Sequence, residues 1–95
     1  MAVLLRFSVP GMSTEVFDRI AGGLREEEEL RRQPGFIMQA VYAAAGGLGA
    51  VEIWETVDQW REFDDRYRPK VDAELAAEDL GMTAEVVELH KFILR

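Results

Sequence analysis

The chain has 95 residues, of which 48% are hydrophobic and 31% charged, and its formal net charge is −7 at pH 7. This length fits a single domain over residues 1–95, and the composition is that of a folded protein, not a disordered one. The negative charge argues against nucleic acid or an anionic membrane as a partner, and the lack of cysteine excludes disulfides and thiolate metal sites. The sequence has no signal-peptide pattern and no apolar run long enough to span a membrane, so we expect a cytoplasmic protein.

Apolar periodicity and turn or capping residues divide the chain into six elements. In chain order we predict a strand over Val3–Val9, a helix from Ser13 or Thr14 to about Arg32, strands over Phe36–Tyr42 and Ala50–Glu55, a helix through Trp60, Phe63 and Tyr67, and a strand over Ala84–Leu94. Thr56 followed by Gln59 resembles a capping box that opens the second helix. Pro69 is expected to end or kink that helix near Arg68.

Two features of the predicted helices bear on function. The acidic run Glu26–Glu29 lies late in the first helix and is flanked by arginines, which is typical of a solvated helical face. Trp60, Phe63 and Tyr67 recur at the spacing of a core-facing stripe, and Tyr67, close to Pro69, is the member nearest a pocket mouth.

The order β-α-β-β-α-β is that of the ferredoxin-like α+β fold. Right-handed crossovers place the first strand inside a four-stranded antiparallel sheet of order 4-1-3-2. Both helices then cover the same face of this sheet.

Alternation along each predicted strand divides its side chains between the two faces of the sheet. The side chains predicted to face the helices are Val3, Leu5, Phe7, Val9, Val51, Ile53, Val87, Leu89 and Ile93. Those predicted for the opposite face are Arg6, Ser8, Glu52, Trp54, Val86, Glu88, His90 and Phe92. Arg6 would then lie between Glu52 and Glu88, where cross-strand ion pairs are expected.

The face taken by each residue of the second strand depends on the length of the turn that follows it, because a slip of one residue moves every side chain to the other face. A seven-residue loop over Ala43–Gly49 would put Met38, Ala40 and Tyr42 beside Glu52 and Trp54. A two-residue turn at Gly46-Gly47 would instead put Ile37, Gln39 and Val41 there.

The face that holds Arg6, Glu52, Glu88 and His90 also carries large apolar side chains, so it is neither a plain core nor a plain solvent face. An exposed apolar patch of this kind is typical of an interface. A second copy of the sheet, packed across a two-fold axis, would cover it. We therefore predict a homodimer in which the polar residues line a partly wet cavity between the two sheets.

The chain carries, in order, an apolar opening strand, Pro34-Gly35-Phe36 before the second strand, VEIWET at 51–56 and EVVELHKF at 85–92. In this order and at this length it resembles the dimeric α/β-barrel superfamily, and within it the antibiotic-biosynthesis-monooxygenase-like domains. Relatives with this fold include cofactor-free oxygenases of polyphenols and quinols, haem-degrading oxygenases, lactone isomerases and dehydratases. The resemblance therefore specifies a fold more narrowly than it specifies a function.

The resemblance carries over to only a few residues. The Glu-x-Trp of the family's third strand is matched by Glu52 and Trp54. The haem-degrading members use a histidine on or near the second helix, whereas the only histidine of this chain is His90, so haem degradation is disfavoured. The cofactor-free oxygenases use a pocket asparagine, which this chain lacks entirely, and His90 or Tyr67 would have to replace it.

Two functional hypotheses remain. In the first, a cofactor-independent monooxygenase or isomerase binds a small apolar or aromatic molecule, and His90 is the base because its ordinary pKa lies near neutrality. Arg6 would stabilise the developing anion. The predicted ligand-binding residues are Arg6, Glu52, Trp54, Glu88, Tyr42 and Tyr67. In the second hypothesis the protein is a non-catalytic module that dimerises or binds a ligand.

Simpler roles exist for the same side chains. His90 can hydrogen-bond Glu52 or Glu88 across the sheet, and Arg6 can neutralise those glutamates. Two glutamates and a histidine without a recognisable ligand spacing do not predict a metal site, especially with Arg6 competing for the carboxylates. We therefore expect no metal and no cofactor.

Overall fold

The computed structural model describes all 95 residues and contains four strands and three helices. In chain order they are β1 (Val3–Pro10), α1 (Thr14–Leu24), α2 (Glu26–Arg31), β2 (Phe36–Ala44), β3 (Gly47–Trp54), α3 (Val57–Ala77) and β4 (Thr83–Glu88). All neighbouring strands are antiparallel, in the order β2-β3-β1-β4. Read from the opposite edge, this order is the predicted 4-1-3-2 of the ferredoxin-like α+β fold. None of the helices has the length and hydrophobicity needed to cross a membrane.

The region predicted as one long first helix is two helices. Ser13 caps α1, and its Oγ accepts the backbone N–H of Val16 at 3.1 Å. Arg25, with φ 56°, adopts the left-handed conformation that ends α1 and leads directly into α2. The break places the acidic run Glu26–Glu29 in the first turn of a helix, where the helix dipole stabilises negative charge. In an unbroken helix the same run would lie near the unfavourable end.

Helix α3 begins as predicted. The Oγ1 of Thr56 accepts the backbone N–H of Gln59 at 3.2 Å, which is the expected cap. Of the two outcomes expected at Pro69, an end near Arg68 does not occur, because the helix passes through Pro69 to Ala77. Its buried residues are Trp60, Phe63, Tyr67 and Leu75. Because apolar side chains are buried on both sides of Pro69, their burial offsets the hydrogen bond that proline removes.

The face of β3 that packs under the helices is the reverse of the prediction. Val3 lies opposite Trp54 and Leu5 opposite Glu52, and directly opposed residues of antiparallel strands share a face. Trp54 and Glu52 are accordingly buried with the core residues of β1. The prediction that Val51 and Ile53 face the helices is wrong, because alternation groups the residues of a strand without saying which group faces the core.

The prediction for the last strand is wrong in the same way. In β4, Val86 lies opposite Leu5 and Glu88 opposite Val3, so these two residues share the helix-covered side and Val87 does not. The strand also ends at Glu88, six residues before the predicted end. Beyond Glu88, one more backbone hydrogen bond joins the two segments, from the N–H of Leu89 to the carbonyl of Ala2.

The β2–β3 hairpin has the two-residue turn of the second alternative, but the turn lies at Ala45-Gly46, one residue earlier than Gly46-Gly47. Gly46 has a positive φ of 76°, a conformation that glycine adopts without strain. Gln39 is therefore paired with Glu52 on the helix-covered side. Tyr42 is paired with Gly49 on the side that no helix covers.

Candidate functional site

A mostly apolar cavity lies between the helix-covered face of the sheet and the helices. It offers about 90 Å³ to the centres of water molecules. This is room for more than one water molecule or for a small organic molecule. The polar or charged residues that line it are Glu26, Gln39, Glu52, Asp64, Tyr67 and Arg68. An apolar cavity with a few convergent polar groups is the usual form of a small-molecule site.

Glu52, on β3, is the most deeply buried acid of the cavity, with 7% of its surface exposed. Its Oε1 accepts the indole N–H of Trp54 at 2.9 Å, and its Oε2 accepts an amide N–H of Gln39 at 3.2 Å. Burial raises the pKa of Glu52 to about 7, and the hydrogen bond from Trp54 opposes this rise only in part. A carboxyl group with this pKa can take up and release a proton at neutral pH, as a general base must.

Gln39 connects Glu52 to a second acid. The same amide nitrogen that bonds Glu52 also donates to the Oε1 of Glu26 at 3.1 Å, so both N–H groups of Gln39 serve carboxyl oxygens. Burial raises the pKa of Glu26 as well. Two acids from different elements, β3 and α2, are thus linked through one amide group, and the charge of Glu26 adds to the rise in the pKa of Glu52.

Tyr67, on α3, is the third polar group at the centre of the site. Its ring stacks on Phe63 with 4.9 Å between ring centroids, and 9% of the residue is exposed. Its hydroxyl oxygen is fully buried and has no hydrogen-bond partner in the protein. Burial raises the pKa of Tyr67, and the nearby charges of Glu26, Glu29 and Glu52 add to the rise. The hydroxyl therefore keeps its proton at neutral pH and stays available as a donor.

The other two charged residues of the cavity, Asp64 and Arg68, form an ion pair with each other. Arg68 Nε donates to Asp64 Oδ1 at 3.1 Å, one turn apart on α3, and both side chains are about one-quarter exposed. Desolvation raises the pKa of Asp64, while the guanidinium of Arg68 lowers it. Because the two charges cancel, the charge that a ligand would meet in the cavity depends mainly on Glu26 and Glu52.

Three of the residues predicted to bind a ligand belong to this site or support it. Glu52 and Tyr67 line the cavity. Trp54 is completely buried and holds Glu52 through its indole N–H. All three lie on the helix-covered side of the sheet, within a single chain, and not in the space between two sheets for which Glu52 and Trp54 were predicted.

The other predicted residues lie outside the cavity. Arg6 and Tyr42 are on the uncovered face of the sheet, where Arg6 lies between Val51 and Glu85 instead of between Glu52 and Glu88. Glu88 lies at the end of β4, in a shallow groove beside the start of α3. His90 follows β4 and is exposed, so its role as a catalytic base stays a prediction without support from a neighbouring cavity.

Sequence reasoning missed Glu26, Gln39 and Asp64. Glu26 was assigned to a solvated face because nothing in the sequence marks the left-handed residue at position 25. Gln39 carried a usable signal, since it is the only polar side chain in the otherwise apolar and aromatic run Phe36–Val41. A lone amide in such a run predicts a buried hydrogen-bond partner.

No group of three or more histidine or acidic side chains is arranged to hold a metal ion. The polar groups that line the cavity are three carboxyl groups, an amide, a phenol and a guanidinium, and the carboxyl group of Asp64 is paired with the guanidinium of Arg68.

No family model matches the chain, and no curated protein matches it. Solved structures do match over almost the whole chain. SnoaB, a cofactor-independent oxygenase from Streptomyces nogalater, has a TM-score of 0.66 and 18% identity over 99% of this chain and 96% of its own. The monooxygenase ActVA-Orf6 from Streptomyces coelicolor, in complex with Nanaomycin D, has a TM-score of 0.62 and 20% identity over 99% and 90%. The de novo designed protein Foldit4 has a TM-score of 0.64 and 8% identity over 95% and 100%.

These likenesses confirm the predicted resemblance at the level of the fold. The chain has the fold of the antibiotic-biosynthesis-monooxygenase-like proteins, a group that contains cofactor-independent oxygenases. A designed protein with the same fold is a reminder that the fold alone does not specify an activity. The function has to be argued from the cavity.

Proposed function

We propose that this protein, which has the monooxygenase-like fold, is a cytoplasmic, homodimeric and cofactor-independent monooxygenase acting on a small hydroxylated aromatic molecule. The substrate binds in the cavity of each subunit. The observation that carries the proposal is Glu52, a carboxyl group buried in an apolar cavity with its pKa raised to about 7. The structural likeness to SnoaB and ActVA-Orf6 supports the choice of reaction.

The chemistry needs only a base and molecular oxygen. A phenol that gives its proton to Glu52 becomes an electron-rich phenolate, which can pass electrons to O₂. One oxygen atom then bonds to the ring carbon opposite the hydroxyl, and the other leaves as water together with the hydrogen of that carbon and the phenolic hydrogen. The phenol supplies all four electrons, so one phenol and one O₂ give one quinone and one water without an added reductant.

Oxygen uptake by the purified protein with 1-naphthol tests the proposal. We expect uptake to match the formation of 1,4-naphthoquinone, with one labelled oxygen in the product when labelled O₂ is used. The variant Glu52→Gln keeps the size of the side chain but removes the base, so turnover should fall by about 100-fold or more. Glu88→Gln, a carboxyl group outside the cavity, is the matched control and should keep its rate. Absence of turnover by the unmodified protein, or an unchanged rate in Glu52→Gln, contradicts the proposal.

The same assay separates Glu52 from His90 as the base. His90 is exposed and does not line the cavity, so His90→Ala should retain its turnover. If His90→Ala instead loses turnover while staying folded and dimeric, the base is His90 and the reaction takes place outside the cavity.

The uncovered face of the sheet supports the homodimer. Directly opposed residues form an apolar row across all four strands, made of Met38, Ile53, Leu4 and Val87. Beyond the sheet, Ile93 and Leu94 are 79% and 66% exposed. Contiguous apolar surface of this kind marks an interface, and a second copy across a two-fold axis presents the same surface in return.

A further inference from the structure

The hydroxyl group of Tyr67 has an unused capacity for hydrogen bonding. Tyr67 is one of the residues that line the cavity, and its hydroxyl oxygen is fully buried, yet no protein atom bonds to that oxygen. Burying a hydroxyl group without a partner is unfavourable, and most buried side-chain polar atoms in proteins have one. The charges of Glu26, Glu29 and Glu52 act on it, but none of these carboxyl groups is within hydrogen-bonding distance.

The acids of the cavity have free acceptor sites beside this donor. Each oxygen of Glu52 accepts one hydrogen bond, whereas a carboxyl oxygen can accept about two. Both amide hydrogens of Gln39 are already committed to Glu26 and Glu52, so the amide has no donor left for a ligand. Apart from the groups that the Arg68–Asp64 pair leaves unbonded, a ligand meets one donor, Tyr67, and acceptors on the carboxyl groups of Glu26 and Glu52.

The cavity offers no free positive charge. Arg68 is the only cationic residue in its lining, and that side chain is bonded to Asp64. A carboxylate ligand would accept a bond from Tyr67 but would place its charge next to Glu26 and Glu52 in apolar surroundings, where repulsion between like charges is strong. A neutral hydroxyl group can accept from Tyr67 and donate to Glu52 at the same time.

We infer that Tyr67 is a specificity-determining residue whose hydroxyl group binds a neutral oxygen-bearing group of the ligand, while the paired carboxyl groups of Glu26 and Glu52 reject ligands that carry negative charge. The inference rests on the proposed use of the cavity as a ligand site. It does not depend on the reaction with oxygen.

Calorimetric titration with three probes of nearly equal size tests this inference, in the absence of oxygen so that no turnover occurs. The probes are 1-naphthol, 1-methylnaphthalene and 1-naphthoate, which differ in having a hydroxyl, a methyl or a carboxylate group on the same rings. At neutral pH we expect 1-naphthol to bind at least about five- to tenfold more tightly than 1-methylnaphthalene, the factor that one hydrogen bond contributes. We expect 1-naphthoate to bind more weakly than both.

Two tyrosine variants locate the effect. Tyr67→Phe should lose about five- to tenfold in affinity for 1-naphthol and nothing for 1-methylnaphthalene, because only the hydroxyl group is removed. Tyr42→Phe changes the other tyrosine, on the uncovered face, and should bind all three probes as the unmodified protein does. Without a ligand, Tyr67→Phe should melt at the same or a higher temperature, since the lost hydroxyl group has no partner in the protein.

The inference is overturned if Tyr67→Phe binds 1-naphthol undiminished, if 1-naphthoate binds as tightly as 1-naphthol, or if 1-naphthol does not bind. Selective binding without oxygen uptake in air would leave the inference intact and remove only the proposed reaction. If the unmodified protein turns over 1-naphthol and Tyr67→Phe binds and reacts normally, the proposed reaction stands and the inference about Tyr67 is overturned.

Discussion

At the scale of single residues, Glu52 is placed where its burial has a cost. A carboxyl group with 7% exposure loses most of its hydration, and the hydrogen bonds from Trp54 and Gln39 recover part of that loss. A side chain kept only to fill this space would be better apolar, since burying an ionisable group rarely adds stability. The acid is therefore better explained by what it does than by how it packs.

The first prediction concerns how stability depends on pH. In the folded chain the pKa of Glu52 is about 7, against an ordinary value of 4.5, so the folded state holds this proton more tightly than the unfolded state. The contribution of Glu52 to the free energy of unfolding is complete below about pH 4.5 and is lost as the pH rises through about 7, to a total of about 3 kcal/mol. In Glu52→Gln this part of the decline should be absent.

Urea denaturation between about pH 4.5 and pH 8 checks this for both proteins. Some decline should persist in Glu52→Gln, because burial also raises the pKa of Glu26 and of Asp64. Parallel curves for the two proteins would mean that Glu52 titrates normally and is not the proposed base.

At the scale of elements, local sequence signals identified the strands and the caps but not their orientation. The cap at Thr56 and the order of the four strands depend on nearby residues and on chain connectivity, so they were predictable. The face occupied by Glu52 depends on its pairing with Leu5, a contact between distant parts of the chain that alternation cannot specify. Placing Glu26 in the site required the break at Arg25, which has no sequence signature.

The break between α1 and α2 gives the second prediction. Arg25 has a left-handed conformation that glycine adopts more easily, and its ion pair with Glu28 is exposed and long, at 3.8 Å. Arg25→Gly should therefore stabilise the protein by about 0.5–1 kcal/mol. Arg31→Gly, also an exposed arginine but at the last helical position of α2, should destabilise it by up to about 1 kcal/mol. Thermal unfolding measures both, and a loss of stability in Arg25→Gly would show that its side chain matters more than its backbone.

At the scale of the whole molecule, the two faces of the sheet have different surroundings. The helix-covered face holds the core and the cavity, while the other face keeps an apolar row that no element of the same chain covers. The homodimer stays a proposal, and its argument has changed. The proposed interface is the uncovered face with its apolar row, and the candidate site lies within a single chain instead of between two sheets.

The third prediction tests this assembly. Light scattering at micromolar concentration should give twice the chain mass of 10.8 kDa. Val51, central on the uncovered face, should not tolerate a charge, so Val51→Lys should produce monomers. Ala76→Lys, on the exposed side of α3, should remain a dimer. A monomeric unmodified protein rules out the homodimer, whereas a dimer that shows neither binding nor turnover supports the non-catalytic alternative.

The two-sided use of β3 has a consequence for how this sequence can change during evolution. Glu52 and Trp54 face the cavity, while Val51 and Ile53 face the other side. Deleting or inserting a single residue here would exchange the two sets, so that Glu52 and Trp54 would leave the helix-covered side and Val51 and Ile53 would take their places. Substitutions can accumulate one by one in this strand, but changes of length cannot. Among natural relatives, gaps should therefore fall in the turn at 45–46 or between α3 and β4, and never within residues 48–54.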